Sequence, residues 1–352
     1  RREAGGEAAI VGDPWCIGAD MTQQRITLAH GNGGRFMREL IDEVFARHLN
    51  DGQLDTHTDA AHLNLSGDLL FTTDGFTVKP LEFPGGSIGS LAVHGTVNDL
   101  AVAGAIPRVL SLNVFIEEGL EFAQLERIVA DLARAARDCG VQVVAGDTKV
   151  LPHGECSGLY LATSGIGVRA TPGVLSLRNI RPGDVLLVNG SVGDHGTAVM
   201  LAREQFGLRG DLQSDAASVL PYAQALFDLP GIRFMRDPTR GGLATVAHEI
   251  ASACGLSVRL SEPAIPVKDP VRAVCEMLGY DPYYLACEGR VVAVVAEDAV
   301  DEALARWRGI DGSEPSLIGQ LETGAPRVIL ETELGGQRFL EELEDDPLPR
   351  IC

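Results

Sequence analysis

The alternation of apolar and polar residues predicts a chain of mixed helices and strands. Apolar residues recur every three or four positions in some segments, as in amphipathic helices, and form short continuous runs in others, as in buried strands. In the first half this pattern predicts helices over 36–49, 85–104 and 121–138 and strands over 69–73, 109–116, 141–145 and 159–168. In the second half it predicts strands over 185–189, 256–260, 291–296, 316–321 and 326–331 and helices over 195–206, 215–228, 241–254, 270–278 and 298–307. The predicted fold class is therefore α/β (α+β), in two lobes.

Clusters of turn-forming residues divide the chain into four parts. Gly and Pro are concentrated between 170 and 183, so we expect one domain at 25–170 and a second at 171–331. Residues 1–24 have no apolar periodicity and are expected to be a disordered leader. Residues 332–352 are rich in Asp and Glu and end in two prolines and Cys352, so we expect a flexible tail there.

The charge and the cysteine content exclude several classes of protein. The 352 residues carry a formal net charge of −20, the wrong sign for nonspecific binding of nucleic acid or an anionic membrane. The longest apolar runs, such as 291–296, are far below the roughly 18 residues that a membrane span requires. Seven cysteines without a C-x-x-C pair indicate reduced thiols in a cytoplasmic protein.

The common catalytic and nucleotide-binding motifs are absent. The sequence contains no P-loop, no nucleophile elbow and no H-E-x-x-H zinc helix. Residues 165–170 match G-x-G-x-x-A, the dinucleotide-binding pattern, but Thr171-Pro172-Gly173 follows where a helix should begin. We therefore expect no dinucleotide site there.

A looser set of acidic residues indicates a site for a metal and an anion. Five aspartates stand in turn-forming contexts beside apolar segments: Asp59, Asp74, Asp99, Asp147 and Asp237. Carboxylates are ligands that Mg²⁺ prefers, and Mg²⁺ commonly accompanies nucleotide phosphates. Two of the three lysines, Lys79 and Lys149, lie close in sequence to these aspartates, and Gly31, Gly33 and Gly34 could offer backbone N–H groups to phosphate oxygens. Each aspartate alone is more often a turn or cap residue.

The terminal Cys352 has two interpretations. A cysteine at a chain end is usually incidental, but one on a flexible tail could also carry a chemical group into an active site. The neighbouring terminal carboxylate should raise its thiol pKa and Arg350 should oppose this, so strong intrinsic activation is not expected. Another enzyme would have to load the group.

Seven segments, in order along the chain, resemble one family. They are 30–34, 72–80, 83–86, 95–101, 146–149, 236–242 and the terminal Pro349-Arg-Ile-Cys352. The family is that of HypE, the carbamoyl dehydratase of hydrogenase maturation, within the aminoimidazole ribonucleotide synthetase-like ATP-binding superfamily. The resemblance runs from about residue 25 to the last residue, and the sister families lack the Pro-Arg-Ile-Cys terminus.

The resemblance implies a fold, partners and a reaction. It implies a homodimer of two-lobed subunits whose N-terminal sheets pair across the dimer, with ATP and Mg²⁺ in the cleft. A carbamoyltransferase partner, HypF, would attach a carbamoyl group to Cys352, and ATP-dependent dehydration would turn it into a thiocyanate. The HypC–HypD scaffold complex would receive the cyano group, a cyanide ligand for the iron of [NiFe]-hydrogenase.

The resemblance also assigns roles to individual residues. The metal-binding residues would be Asp59, Asp74, Asp99 and Asp237. The nucleotide contacts would be Gly31, Gly33, Gly34, Lys79, Asn98, Gly146, Asp147 and Thr148. Catalysis would fall to Cys352, Lys149, Glu288 and His94, the last two removing protons. Without the resemblance, His94 would be interpreted as a packed helix histidine and Glu288 as a solvated turn acid.

Two departures and two alternatives complete the interpretation. Cys287 stands where the family usually has Asn, which removes an amide beside Glu288. Asn32 stands where Ser is usual. A superfamily kinase or synthetase with a free small-molecule substrate is one alternative, and it predicts ATP turnover indifferent to Cys352. The other is a non-enzymatic carrier, which predicts that Asp74→Asn or Asp99→Asn leaves function intact.

Overall fold

The structure is a computed structural model that describes residues 25–50, 54–56, 58, 60–203 and 210–343. The predicted leader at 1–24, the metal-binding candidate Asp59 and the terminal Cys352 lie outside these residues. Their predicted roles therefore stay predictions. No helix in the described ranges is both long enough and apolar enough to cross a membrane.

The N-terminal domain is a sheet covered on one face by two long helices. Its strands are β1 (Leu69–Phe76), β2 (Glu82–Phe83), β3 (Gly86–Ser87), β4 (Ala105–Glu117), β5 (Gln142–Leu151) and β6 (Leu159–Arg169). Its helices are α1 (Arg35–Leu40), α2 (Arg47–Leu49), α3 (Ile88–Val102) and α4 (Phe122–Asp138), with a π-helical turn (Ile41–Ala46) joining α1 to α2. The main sheet has the order β1-β6-β4-β5, and only β4 and β5 run parallel.

Helix α3 is buried nearly all round because it lies between the sheet and α4. Ser87 caps it, since its Oγ accepts hydrogen bonds from the backbone N–H groups of Gly89 (3.2 Å) and Ser90 (3.4 Å). Two glycines permit the close packing. A Cβ on Gly89 would lie 2.3 Å from the carbonyl oxygen of Ile128 in α4, and one on Gly165 would lie 2.7 Å from Thr96. Gly165 thus serves helix–sheet packing within β6, in agreement with the expectation that 165–170 is no dinucleotide loop.

The second face of the N-terminal sheet, which we call the open face, is not covered by any helix or strand of the described residues. Alternate residues of β4 and β6 are buried against the helices, and those between them are half-buried. On β1 the open face presents Leu69 and Phe71, which are 48% and 69% exposed. Neighbouring exposed apolar side chains on a regular surface are a candidate interaction site.

The C-terminal domain is built on a seven-stranded mixed sheet. Its strands are β7 (Val185–Val188), β8 (Ile232–Arg236), β9 (Ser257–Ser261), β10 (Val292–Val295), β11 (Ser316–Glu322), β12 (Arg327–Glu331) and β13 (Gln337–Phe339). Its helices are α5 (Asp194–Ala202), α6 (Leu220–Leu226), α7 (Gly242–Cys254), α8 (Asp269–Leu278) and α9 (Val300–Arg308). The strand order is β13-β12-β9-β11-β7-β10-β8. The central strands β7 and β10 are buried on both faces, which explains their continuous apolar sequence.

Besides the two-residue strands β2 and β3, which were not predicted, three elements differ from the sequence prediction. The helix expected over 215–228 is confined to α6, because residues 211–219 run without helix or strand until the first turn of α6. Strand β8 was not predicted, since two arginines interrupt its apolar run. Strand β13 lies inside the expected tail: it pairs with β12, and Leu340 after it is buried. The folded domain therefore extends past residue 331.

Candidate functional site

Four predicted site residues meet in one cleft of about 290 Å³ between the two lobes. They are the three described metal-binding candidates and the candidate proton acceptor: Asp74, Asp99, Asp237 and Glu288. The other lining residues are Gly75, Phe76, Thr77, Gly95, Thr239 and Arg240. Both domains contribute, so the relative placement of the lobes determines the geometry of the cleft.

The three aspartates stand on regular structure or directly after it, and not in turns as the sequence suggested. Asp74 lies within β1, where its Oδ1 accepts a 2.7 Å hydrogen bond from the N–H of Gly75. Asp99 lies within α3, one turn after Gly95, and the Thr72 hydroxyl donates to its Oδ2 at 2.9 Å. Asp237 follows the last residue of β8. Side chains on strands and helices are held more firmly than side chains on loops.

The three aspartates share an environment that disfavours their charge. Burial raises the pKa of Asp74 and of Asp99 above the ordinary value, and in Asp99 the nearby Asp74 adds to the effect. Burial, with repulsion from Asp99, raises the pKa of Asp237 to about 7. Arg240 and Arg236 offset this only in part. The cleft therefore holds partly buried negative charge that a cation would neutralise.

The donor set of the cleft fits Mg²⁺ in chemical type. All of these groups are carboxylates, the hard oxygen ligands that Mg²⁺ takes, usually together with water and substrate phosphates. Among the described residues, no three acidic, histidine or cysteine side chains converge closely enough to enclose a metal by themselves. The fourth metal-binding candidate, Asp59, lies outside the described residues.

Glu288 is only 4% exposed, so it is no solvated turn acid. Its backbone is held on both sides: its carbonyl oxygen accepts from the N–H of Ala217 at 3.3 Å, and Asn98 Nδ2 approaches the same oxygen at 3.4 Å. A carboxylate in a cleft from which most water is excluded can take part in proton transfer.

Most of the remaining nucleotide-binding candidates lie on or next to β5, the strand at the opposite edge of the sheet from β1. The Thr148 N–H donates to Asp147 Oδ1 at 2.9 Å, and Lys149 Nζ lies 3.0 Å from Asp147 Oδ2. The glycine-rich loop approaches the same strand, since a Cβ on Gly31 would lie 2.9 Å from Val150. Gly33 has a positive φ of 76°, and a Cβ on it or on Gly34 would meet no heavy atom within 4 Å. Both glycines are therefore accessible to a ligand.

Two adjoining cavities flank β5 next to these residues. Gly146, Asp147 and Thr148 line one of about 180 Å³, together with apolar side chains of α1 and the π-helical turn. Residues 60 and 61 line both this cavity and a larger one of about 870 Å³, which also contacts Arg108 and Arg137. The arginines give the larger cavity a positive side in a chain that is strongly acidic.

The register places the two groups of candidates at opposite edges of the sheet. Asp74 pairs with Thr163 in β6, Thr163 with Leu112 in β4, and Leu112 with Gly146 in β5. Three strand spacings of about 4.8 Å separate the edges by about 14 Å. Alternation along the strands turns Asp74 to the helix face and Asp147 to the open face. A ligand that contacts the candidates on both β1 and β5 has to reach across the sheet, unless the two sets come from different subunits.

Two further candidates, Lys79 and His94, do not line the acidic cleft among its described residues. The exposed Lys79 offers its carbonyl oxygen to Arg203 Nε at 2.6 Å. His94 lies on α3 near the acidic residues of α4, and its buried Nδ1 has no hydrogen-bond partner among the described residues. Burial lowers the pKa of His94 to about 4, so its imidazole is neutral at pH 7.

Comparison with known proteins identifies the family to which the chain belongs. Residues 57–169 match the family model for the N-terminal domain of AIR synthase related proteins, and residues 181–330 match the model for the C-terminal domain. The carbamoyl dehydratase HypE of Azotobacter vinelandii is 44% identical over 338 residues, 95% of this chain and 99% of that protein. The chain belongs to the HypE carbamoyl dehydratase family. The family resemblance drawn from the sequence motifs is thereby confirmed.

Solved structures of HypE proteins share the fold. A HypE crystal structure in complex with ATP superposes with a TM-score of 0.88 at 43% identity, covering 93% of this chain and 99% of that one. HypE in a HypE–HypF complex matches with a TM-score of 0.76 at 41% identity, covering 86% and 99%. The predicted two-lobed α/β fold is confirmed.

The departure from the HypE pattern at Cys287 is accommodated by the backbone. The thiol is fully buried, and its Sγ accepts the N–H of Gly193 at 3.2 Å. Burial raises the pKa of Cys287 well above the usual value, so it stays a neutral thiol. Its own N–H donates to the carbonyl oxygen of Pro238 at 3.0 Å, which links the Glu288 loop to the segment that carries Asp237.

Sequence reasoning missed several residues of this HypE-family site. Thr239 and Arg240 line the cleft and belong to the motif at 236–242 that carries Asp237, so that motif was a usable signal. Thr72 stands two residues before Asp74, but only the structure shows that it contacts Asp99. Asp215 contacts the Glu288 loop from 73 residues away, and no sequence pattern indicated this.

Proposed function

We propose that this chain dehydrates a carbamoyl group carried on its own Cys352 to a thiocyanate, at the expense of ATP. The observation that carries the proposal is the convergence of the buried Glu288 and Asp237 with the half-buried Asp74 and Asp99 in one interlobe cleft. A related HypE structure contains ATP, and its fold extends over nearly all of this chain. The product would supply cyanide ligands for the iron of [NiFe]-hydrogenase.

The reaction needs a proton acceptor and stabilisation of charge. ATP transfers its terminal phosphoryl group to the amide oxygen of the S-carbamoyl group, which turns that oxygen into a good leaving group. The nitrogen then loses its two protons, the C–O bond breaks and phosphate departs with the oxygen. The product is S–C≡N, with ADP and phosphate released. Because a phosphoryl group in transfer is highly charged, electrostatic clamping governs the rate.

The candidate residues, inside the cleft and outside it, would meet these two needs. Glu288 would accept a proton from the amide nitrogen, directly or through one water, with His94 as a second acceptor that is neutral at pH 7. Asp59, Asp74, Asp99 and Asp237 would hold Mg²⁺, which supplies positive charge to the nucleotide phosphates. Lys149 would provide a compact cation beside the modified thiol.

The nucleotide itself would lie against the β5 side of the sheet. Gly31, Gly33, Gly34 and Gly146 offer backbone that a ligand can approach closely, and Asp147, Thr148, Lys79 and Asn98 offer polar contacts. The cavities beside β5 have room and polar walls for such a ligand. Asn98 already uses both ends of its amide within the protein, so we assign it chiefly to positioning.

The start of the C-terminal segment supports a substrate on the chain's own Cys352. The carbonyl oxygen of Leu340 lies 2.7 Å from His248 Nε2, and that of Glu341 accepts a 2.6 Å hydrogen bond from the Tyr284 hydroxyl. Tyr284, which holds Glu341, is four residues from Glu288 in sequence. The backbones of Tyr284 and Glu288 are therefore at most about 14 Å apart. The eleven residue-to-residue steps from 341 to 352 can span up to about 40 Å, which is ample to bring Cys352 into the cleft.

Partners follow from the same proposal. HypF would load the carbamoyl group onto Cys352, in line with the HypE–HypF complex of the related structure. A HypC–HypD scaffold would receive the cyano group. A second copy of this chain would cover the open face at Leu69 and Phe71, where large apolar side chains are exposed. Such a homodimer could also bring residues of β1 and β5 from different subunits together.

Intact-mass spectrometry of the full-length protein tests the proposal. The protein is incubated with the carbamoyltransferase, carbamoyl phosphate and MgATP. We expect an added carbamoyl group, and then the loss of one water mass that requires MgATP. Cys352→Ala should abolish both changes, whereas the matched control Cys156→Ala should retain them. Absence of any adduct in the presence of an active transferase would reject a substrate on Cys352.

The same assay separates the two alternatives. If the chain only carries the group, Asp74→Asn and Asp99→Asn should leave its function intact. We expect instead that both variants fold and accept the carbamoyl group but keep it unchanged in mass. If the chain acts on a free small molecule, ATP hydrolysis should persist in Cys352→Ala. We expect hydrolysis coupled to dehydration to disappear in that variant.

A further inference from the structure

Residues 210–219, which we call the inter-lobe segment, run between the two domains beside the cleft. The Ser214 N–H donates to the carbonyl oxygen of Pro84 at 2.8 Å, which ties the segment to the N-terminal domain. Asn98 of α3 ties it again, since Asn98 Nδ2 donates to the Ala217 carbonyl oxygen at 3.0 Å and Asn98 Oδ1 accepts from the Val219 N–H at 2.8 Å. The segment is thus fixed to the lobe that carries Asp74 and Asp99.

On its other side, the inter-lobe segment holds the loop that carries Glu288. Asp215 Oδ1 lies 3.4 Å from the N–H of Glu288, and Asp215 Oδ2 accepts the N–H of Gly289 at 3.2 Å. The N–H of Ala217 also donates a hydrogen bond to the Glu288 carbonyl oxygen. A Cβ on Gly289 would lie 1.9 Å from the Asp215 carbonyl oxygen, so the two backbones are in direct contact. One carboxylate therefore holds two successive peptide groups at the candidate proton acceptor.

The charge of Asp215 is compensated by Arg290, which is absent from the described lining of the cleft. Its side chain is fully buried, and Arg290 Nε lies 3.6 Å from its Oδ2. Arg290 also donates to the Ser191 carbonyl oxygen at 2.6 Å and lies 3.3 Å from Asp194, so its guanidinium is fixed in place. The Asp215 carboxylate is thereby held between the Arg290 guanidinium and the Glu288 loop.

We infer that Asp215 is a positioning residue for Glu288: it fixes the Glu288 backbone relative to the N-terminal lobe and so directs the Glu288 carboxylate at the reacting group. This inference rests on the proposed function. Asp215 itself is absent from the described lining of the cleft, so it acts through Glu288. Misplacement of a catalytic group by about 1 Å can cost roughly a hundredfold in rate.

A single-turnover assay tests the inference with the full-length, carbamoyl-loaded protein. The rate of water loss is followed by mass spectrometry over a range of MgATP concentrations. Asp215→Asn should lower the maximal rate at least tenfold, because an amide cannot accept both N–H groups, and leave the half-saturating MgATP concentration within about twofold. The matched control Asp211→Asn, an exposed aspartate on the same segment, should behave as the wild type. An unchanged maximal rate, or a loss confined to MgATP affinity, would overturn the inference.

A double variant separates positioning from general destabilisation. If Asp215 acts through Glu288, adding Asp215→Asn to Glu288→Gln should produce no further loss of rate. An equal additional loss in the double variant would show an independent role and contradict the inference. Asp215→Glu keeps the charge opposite Arg290, so it serves if Asp215→Asn does not fold; the lengthened side chain should also lower the maximal rate.

The design distinguishes failure of this inference from failure of the proposed function. If the wild type does not lose water from the loaded group, the proposed function itself is wrong. If the wild type reacts and Glu288→Gln does not slow it, the role of Glu288 is wrong, and the role of Asp215 with it. If only Asp215→Asn is without effect, the proposed function stands and Asp215 is not a positioning residue.

Discussion

The Thr72 hydroxyl donates a 2.9 Å hydrogen bond to Asp99 Oδ2, which joins strand β1 to helix α3 at the acidic cleft. This bond favours the charged form of Asp99, whose pKa is otherwise raised by burial and by Asp74. Thr72 thereby helps to keep a carboxylate ionised where a cation would bind.

Removal of the Thr72 hydroxyl should weaken the binding of MgATP at the acidic cleft. Thr72→Val keeps the shape of the side chain but raises the pKa of Asp99 further, so we expect MgATP binding to weaken by about tenfold. Isothermal titration calorimetry measures this. Thr73→Val is the matched control, because the Thr73 hydroxyl donates to the Thr163 carbonyl oxygen at 3.0 Å. Equal affinity in Thr72→Val and wild type would show that the bond is irrelevant to binding.

Asn98 should contribute more to stability than an ordinary surface amide. It is 1% exposed and bonds to the inter-lobe segment through both its oxygen and its nitrogen. Asn98→Ala would leave the buried Val219 N–H without an acceptor, so we expect the free energy of unfolding to fall by about 2–4 kcal/mol. Asn179→Ala removes one exposed hydrogen bond, to the Val174 carbonyl oxygen, and should have a much smaller effect. Denaturant titration compares the two, and equal losses would contradict the assignment.

His94 should make stability depend on pH below neutrality. Its pKa is about 4 in the folded protein because of burial, against 6.5 for the free side chain. As the pH falls below 6.5, the unfolded chain takes up a proton that the folded chain does not, so stability is lost towards pH 4. Between pH 7 and pH 5 this amounts to about 2 kcal/mol.

The variant His94→Gln should lose this contribution. Its free energy of unfolding should fall less than that of the wild type between pH 7 and pH 5, as measured by guanidinium titration at both values. His62→Gln replaces an exposed histidine and should follow the wild type. Parallel pH profiles for wild type and His94→Gln would show that His94 does not resist protonation in the folded state.

The open face of the N-terminal sheet should mediate dimerisation. Phe71 is 69% exposed on β1, and a carboxylate there would have to be desolvated in a packed interface. We expect Phe71→Glu to shift the protein to monomers in sedimentation velocity at concentrations where the wild type is a dimer. Leu334→Glu, at a residue that is 98% exposed on the C-terminal domain, should remain dimeric. A dimer that survives Phe71→Glu would place the interface elsewhere.

The sequence by itself determined the fold class, most of the helices and strands, and the family. Apolar periodicity reports which face of each element is buried, and short motifs such as 236–242 keep their residues together in any fold. It also brought Asp74, Asp99, Asp237 and Glu288 forward as candidates, through the resemblance. It could not show that Asp74 and Asp147 lie at opposite edges of one sheet.

Only the tertiary structure decided how these residues meet. The strand order puts β5 three strands from β1, although the polar motifs of both look alike in sequence. Packing between the lobes places Asp215 on the Glu288 loop and Asn98 on the inter-lobe segment. Such contacts join residues dozens to more than a hundred positions apart. They depend on the packing of whole domains, and local sequence patterns carry no record of that packing.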